Sequence, residues 1–564
     1  MNRQPGQDHP PASDRDPAPG GDGPAAAGPV AVPEMQAEEV RRHWRQGLEI
    51  AVLDLREEEP FARQGHPLWS VCLPLGRIET EAWRRLPRQT VPIVLLGRDG
   101  RGRDLVPAAA DLLRRLGYSD LRRLSGDLEG WQAAGGELFR DVNSASKAFG
   151  EWVAERSATP LLAPEQVQQR LAAGERLLLL DVRRRDEHGV MTLPGSRHLP
   201  GGELLRWVGT LAPDPETPVL VHCAGRTRGI LAAQGLIDAG LPNPVAAVRN
   251  GTIGWHLAGL PLERGADRGL PDGLEPDSAA LAAARRAAGR LASQLQVPWL
   301  DGAGWTAWCR DPRRTTYRFD VRPEAETEPP PPGFARVPAG QLIQELDHHV
   351  AVRGARIVLW DGDGVCAPAA AAWLARMGWE VALLTPEQAT TAVEGTWPGP
   401  PLPATEAAIG ARLLQEWLQR ENGTTLVLDL GDGAGYGEGH VPGALWLLRR
   451  DLEEVLAAHP QARRLVLCCA DGQRAEAAIP AVRTVLPAER TLHWLRGGRQ
   501  GWIRAGGPLE TGPCQLASPL EDRYRRPYVG LDHPRQAMED YLTWEYGLVA
   551  QLERDGSHGF RPLP

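Results

Sequence analysis

Four times along the chain a strand-like apolar run ends in the same way, with Leu or Phe, then Asp, then Val or Leu. The four copies are AVLDLR around Asp54, LLLLDVR around Asp181, YRFDVR around Asp320 and LVLDLG around Asp429. Each is followed by a second apolar run and a polar loop: PIVLLGRDG from Pro92, PVLVHCAGR from Pro218, RIVLWDGDG from Arg356 and RLVLCCADG from Arg464. An alanine- and leucine-rich helical stretch follows each loop, and three of the four units close on Gly-Trp, at Gly130, Gly254 and Gly501. A unit written four times excludes a single continuous core and predicts a row of like domains.

Near-continuous apolar strands alternating with helices imply a parallel sheet covered by helices on both faces. Each unit is then a small α/β domain of about 100 to 130 residues. Ligands of such sheets bind beyond the carboxyl ends of the strands, where the four polar loops fall.

The loops differ in what they carry. VLVHCAGRTRG, from Val219 to Gly229, reads as a strand stopping at Cys223, a tight anion-cradling loop, and a helix beginning near Ile230. Backbone N–H groups and a helix N-terminus there favour a thiolate over a thiol, as a nucleophile requires. A buried, inert cysteine is the competing reading, and Arg226 and Arg228, in place of apolar residues, argue against it. The same alignment puts Gly97 in the cysteine position of the first unit and Asp361 in that of the third, with Cys366 at the start of the following helix as a buried inert thiol. The fourth loop keeps a cysteine and an arginine at the same spacing, Cys469 and Arg474, but has Asp471 and one arginine where the second has two. It should hold an anion less well and activate its thiol less, which leaves Cys469 as a relay, a slower second site or a relic. Asp181 and Arg183 end a strand beneath the second loop and read as a structural brace. His222, on the alternate side of its strand, points away from the cysteine's side.

Other features set limits. The net charge of −9 calls for no nucleic acid, and no apolar window is long enough for a membrane span. Seven scattered cysteines support neither a disulfide framework nor a structural metal site, so the expected metal complement is none and the thiols are reduced. A disordered leader without signal-peptide character is expected over 1–33, and a cytoplasmic location follows by default. Residues 141–160 read as a polar helical linker, and 277–296 as an alanine-rich helix capped by Asp277 or Ser278. ETEPPPPG in the third unit reads as an exposed loop. Pro534 to Asp555 reads as one helix whose stripe of Met538, Tyr541, Leu542, Leu548, Val549 and Leu552 packs within the molecule.

Asp181 with Arg183, the LPGS turn at Pro194, the CAGRTR loop and the terminal Gly-Trp together resemble a rhodanese homology domain. From about residue 35, through DRYRRPY and YLTWEYGLVAQLERDGSHGF, the chain is similar to bacterial rhodanese-related sulfurtransferases with four such domains in tandem. The motifs are specific in the second unit and the tail, moderate in the first and fourth, and weak in the third. The resemblance implies rhodanese-like domains at 34–142, 158–266, 277–398 and 404–513, and a helical tail over 514–564. It makes Cys223 the nucleophile, with Ala224, Gly225, Arg226, Thr227 and Arg228 cradling the donor and Arg249, before the terminal Gly-Trp, as a further donor contact.

The implied reaction moves sulfane sulfur from thiosulfate or a similar small anionic donor, through a Cys223 persulfide, to a small thiol, cyanide or a protein acceptor, with no cofactor. The alternative is a persulfide carrier or interaction scaffold serving a protein partner. Phosphatases and arsenate reductases resembling this fold have one more residue in the loop; the four residues between Cys223 and Arg228 make a narrower cradle suited to sulfur.

Overall fold

The computed structural model describes residues 31–389, 407–420, 423–529 and 533–564. The expected leader up to residue 30 and the expected boundary between the third and fourth units lie outside these residues. Four sheets stand in the order of the sequence repeats. In the second unit the strand order is Leu161–Leu162, Val245–Val248, Val219–His222, Leu178–Asp181 and Arg197–His198, all parallel. The fourth unit repeats it with Ala408–Ile409, Thr491–Leu495, Arg464–Cys468, Thr425–Asp429 and Leu445–Trp446. Central strands are buried throughout, as Val219, Leu220 and Val221 are, because helices cover both faces. The sheet of the third unit has four strands, Ala335–Arg336, Thr316–Asp320, Arg356–Trp360 and Glu380–Leu383, and a single parallel bridge from Trp299 to Leu383 stands at its edge.

The units are not separate beads. In the first, Ile50–Asp54 pairs in parallel with Ile93–Leu96 and Ser70–Cys72, and antiparallel with Val352–Arg353 of the third unit. One hydrophobic core runs from the first unit through the linker to the third, gathering Phe149, Trp152 and Phe560. Phe560, near the end of the chain, lies 5.0 Å from the Phe149 ring and 6.0 Å from Trp69, so the tail closes the middle of the molecule.

Three expectations need correction. The linker helix Ser144–Ser157 is not a polar surface element: every residue from Ser144 to Val153 is buried. It packs on the helix that follows the Cys223 loop, so closely that a Cβ at Gly150 would come within 2.7 Å of Thr227. The tail forms two helices, Arg535–Tyr546 and Leu548–Asp555, interrupted at Gly547. The helix after the Cys223 loop begins at Thr227, three residues earlier than expected, so Thr227 and Arg228 occupy its first turn. The helix Ser278–Gln294 and its Asp277 cap, which accepts from Ala280 N–H at 2.8 Å, are as expected. The tail stripe packs internally, with Met538, Tyr541, Leu542, Leu548 and Leu552 buried and Val549 partly so.

Candidate active site

Strand Val219–His222 delivers Cys223 to its carboxyl end, and the helix Thr227–Asp238 starts four residues later. Beneath the loop, Asn250 and Gly251 take left-handed backbone angles of φ 61° and 52°. Thr252 and Ile253 can then donate to the Cys223 and Ala224 carbonyls, both at 2.9 Å. Gly251 packs against the Cys223 carbonyl so tightly that only glycine fits.

Cys223 is 3% exposed. Burial pushes its thiol above the ordinary value, although the Arg228 charge and the Gly229 N–H work the other way. The resting thiol therefore departs from the sequence expectation of a lowered pKa, because the loop lies under a roof that the sequence alone did not reveal. Ala224 packs with Ile253, Tyr528, Met538, Tyr541 and Leu542, and Tyr541 and Glu545 stand over Gly225.

Both arginines are engaged by carboxylates from outside the loop, where the sequence reading has them open to a donor. Arg226 donates to both Glu151 oxygens at 2.7 Å and to Asn250 Oδ1 at 3.2 Å, and lies 4.2 Å from the Tyr546 ring. Arg228 donates to Glu187 at 2.7 and 2.8 Å. The Thr227 hydroxyl is buried without a hydrogen-bond partner. Arg249 is exposed, and Asn250 beside it accepts from Arg226 and from Tyr546 O–H at 3.0 Å.

The roof is charged. Lys147 of the linker helix lies 2.8 Å from Asp141 and 5.2 Å from the Tyr541 ring centre. Tyr541 donates to Glu545 at 2.8 Å, and the second Glu545 oxygen has no hydrogen-bond partner. Burial, then the Glu151 charge, pushes the Glu545 carboxyl up to about 8.

Asp181 and Arg183 form the expected brace, with guanidinium bonds of 2.9 and 2.7 Å. Thr192 O–H donates to the same carboxylate at 2.8 Å, and His222 bonds Ser196 Oγ at 2.8 Å, on the far side of its strand from the loop. Burial pushes His222 down to about 4. The brace recurs as Asp54–Arg56 and Asp320–Arg322; in the fourth unit Gly431 replaces the arginine and its N–H bonds Asp429 at 2.7 Å.

In the fourth loop, Gly472 N–H points at Cys469 Sγ at 3.2 Å and Asp471 lies 3.7 Å away. Burial, with the Asp471 charge, raises that thiol. Arg474 is partly buried in the first turn of the next helix, where its charge acts on Glu81 of the first unit. In the third loop the Asp361 carboxylate fills the cradle, accepting from Gly364, Val365 and Ala367 N–H at 2.9, 3.0 and 2.8 Å. Cys366 is buried with its thiol raised well above the ordinary value. In the first, Gly97 donates to Asp127, and Asp99 is tied to Arg103, which also pairs with Asp451 of the fourth unit.

A cavity of about 520 Å³ between the second and third units is bordered by Arg183, Arg228, Leu231, Ile343 and Trp373, but not by Cys223. Among the described residues no helix is long and apolar enough to cross a membrane.

The sequence does not point to Lys147, Glu151, Glu187, Tyr541, Glu545 or Tyr546 at the site. The one legible signal was Lys147 and Glu151, four residues apart among Ala, Phe and Trp in a helix otherwise read as a linker.

The rhodanese-like domain model matches residues 36–134, 163–258 and 411–505. A crystal structure of a thiosulfate sulfurtransferase from Pseudomonas aeruginosa is 45% identical, with a TM-score of 0.88, covering 94% of this chain and 100% of its own. A Mycobacterium tuberculosis protein described as an HTH-type transcriptional regulator is 29% identical over 182 residues, 30% of this chain and 79% of that protein. The Alr3790 protein from Anabaena is 24% identical over 18% of this chain and 91% of its own, with a TM-score of 0.17.

Proposed function

The chain belongs to the family of proteins built from rhodanese-like domains, and from that premise we propose that it is a sulfurtransferase working through a persulfide on Cys223. The observation that carries this reading is the position of Cys223, at the carboxyl end of a central strand, with the first turn of a helix and the Gly229 N–H directed at its sulfur. The P. aeruginosa relative supports thiosulfate as the donor class.

The Cys223 thiolate attacks the outer sulfur of thiosulfate, and the S–S bond to the sulfonate sulfur breaks with its electron pair. Sulfite departs and the persulfide remains. An acceptor such as cyanide then takes the outer sulfur as thiocyanate and restores the thiolate. Loop N–H groups and the helix N-terminus stabilise the negative sulfur. Arg228 adds positive charge although Glu187 holds it. Ala224 to Arg228 cradle the donor, and the exposed Arg249 is a further donor contact. Cys469 with Arg474 forms a second, weaker site, and the first and third units, with Gly97 and Asp361 in the cysteine position, form no persulfide.

A carrier role has one observation in its favour: Cys223 is buried, and the next residue, Ala224, packs against the tail. Turnover with cyanide supports the enzyme; loading without turnover until a protein acceptor is added supports the carrier. Intact-mass measurement after thiosulfate treatment, with peptide mapping, tests the site. The expected result is one added sulfur on the Cys223 peptide, absent from Cys223→Ser; sulfur on Cys469 alone overturns the assignment.

A further inference from the structure

Away from the Cys223 loop, the fourth unit brings together His440, Glu510 and Cys514, whose ligand atoms lie within 4.8 Å of one another. His440 and Glu510 are locked side by side by a pair of backbone hydrogen bonds of 2.9 and 3.0 Å. Cys514 follows a turn at Gly512, φ 88°, whose N–H is tied to Gly437 O at 2.8 Å.

The histidine is set up as a ligand. Its ring stacks on Tyr436 at 3.7 Å, and Nδ1 lies 2.9 Å from the Tyr436 carbonyl, an acceptor that fixes the ring hydrogen on Nδ1. The lone pair is then on Nε2, which leaves that nitrogen free to ligate a metal. That Nε2 is fully buried, lacks a hydrogen-bond partner and lies 3.6 Å from Glu510 Oε2. Glu510 Oε2 accepts from Gly443 N–H at 2.9 Å, a bond that orients the carboxylate.

Among the described residues the first and second units lack this arrangement. His66 of the first unit, stacked on Phe61 in the same way, has both ring nitrogens on backbone carbonyls, Pro67 at 2.9 Å and Asp141 at 3.0 Å. In the second unit Thr192 takes the histidine's place, and Glu263 is neutralised by Arg268.

We propose that His440, Glu510 and Cys514 bind a borderline divalent transition-metal ion, zinc first, with a fourth position open to solvent. An imidazole, a carboxylate and a thiolate are zinc donors, and three protein ligands leave a tetrahedral ion one site for water. Binding replaces the Cys514 S–H bond with S–metal and releases the proton. The ion fastens the segment after the terminal Gly-Trp to the body of the fourth unit.

The test uses the full chain, reduced and metal-free, with Cys223→Ser and Cys469→Ser so that the loop thiols do not compete. Cobalt(II) is expected to bind one equivalent, with a thiolate-to-cobalt charge-transfer band and the visible bands of a tetrahedral ion, and zinc to displace it. Adding Cys514→Ser, an exposed position, abolishes the spectrum, and Glu510→Gln weakens binding by about tenfold or more. Zinc should raise the melting temperature of the parent but not of the Cys514→Ser protein. Absence of the cobalt bands in the parent, or bands unchanged by Cys514→Ser, overturns the proposal.

Discussion

Arg226 and Glu151 face each other through two parallel hydrogen bonds of 2.7 Å, joining the Cys223 loop to a helix that precedes the second unit in sequence. Both side chains are buried. Removing one partner of such a pair strands the other charge, at a cost of about 3–5 kcal/mol. Glu151→Ala should therefore lower unfolding stability in urea by that amount and slow sulfur loading, because the stranded guanidinium is in the loop itself. A loss below about 1 kcal/mol would show that water reaches the pair.

Glu545 makes the site sensitive to alkali. Its carboxyl is raised from 4.5 to about 8, first by burial and then by Glu151. The neutral form is thus favoured in the folded chain, and this contribution to stability is complete below about 4.5 and lost as pH rises to about 8. Above that, its negative charge opposes a thiolate at Cys223. The ratio of Glu545→Gln to parent sulfur-loading rates should rise as pH passes about 8. A ratio flat from pH 6 to pH 9 would place the Glu545 charge out of reach of the thiol.

Glu187 acts at the other end of the scale. Burial works to raise it, but the Arg228 charge and hydrogen bonds prevail and hold it at about 2, below its ordinary 4.5. Its contribution is complete above 4.5 and lost as pH falls toward 2. Glu187→Gln should flatten the stability loss across that window in acid unfolding followed by circular dichroism. An unchanged acid limb would mean that the pair persists in the unfolded chain.

Gly251 is a backbone constraint on the loop. A Cβ there meets the Cys223 carbonyl at a left-handed φ of 52°. Gly251→Ala should cost at least about 1–3 kcal/mol and depress sulfur loading. Gly498→Ala, the same change beneath Cys469, should destabilise the fourth unit and leave loading at Cys223 intact. Equal loading loss in both variants would point to general unfolding.

The repeats and their parallel sheets were legible because period is a local property. The Asp181–Arg183 brace was legible for the same reason, being two residues apart on one strand end. What covers the loop was not. Glu151 lies 75 residues from Arg226, and Glu545 belongs to the tail, so no pattern within one unit reports either contact. The linker helix misled because Ser144, Lys147 and Glu151 read as solvent-facing, while their partners Arg140, Asp141 and Arg226 turn those polar groups inward. The raised thiol of Cys223 follows from the same roof.

The short strand Val352–Arg353, laid against Ile50 and Ala51, makes the third unit a cover for the sheet edge of the first. Excising the third unit would uncover hydrogen-bonding groups on the first, and an open strand edge recruits other chains. Substitutions in the Asp361 loop would leave this seal untouched, whereas deletion of the unit would drive self-association.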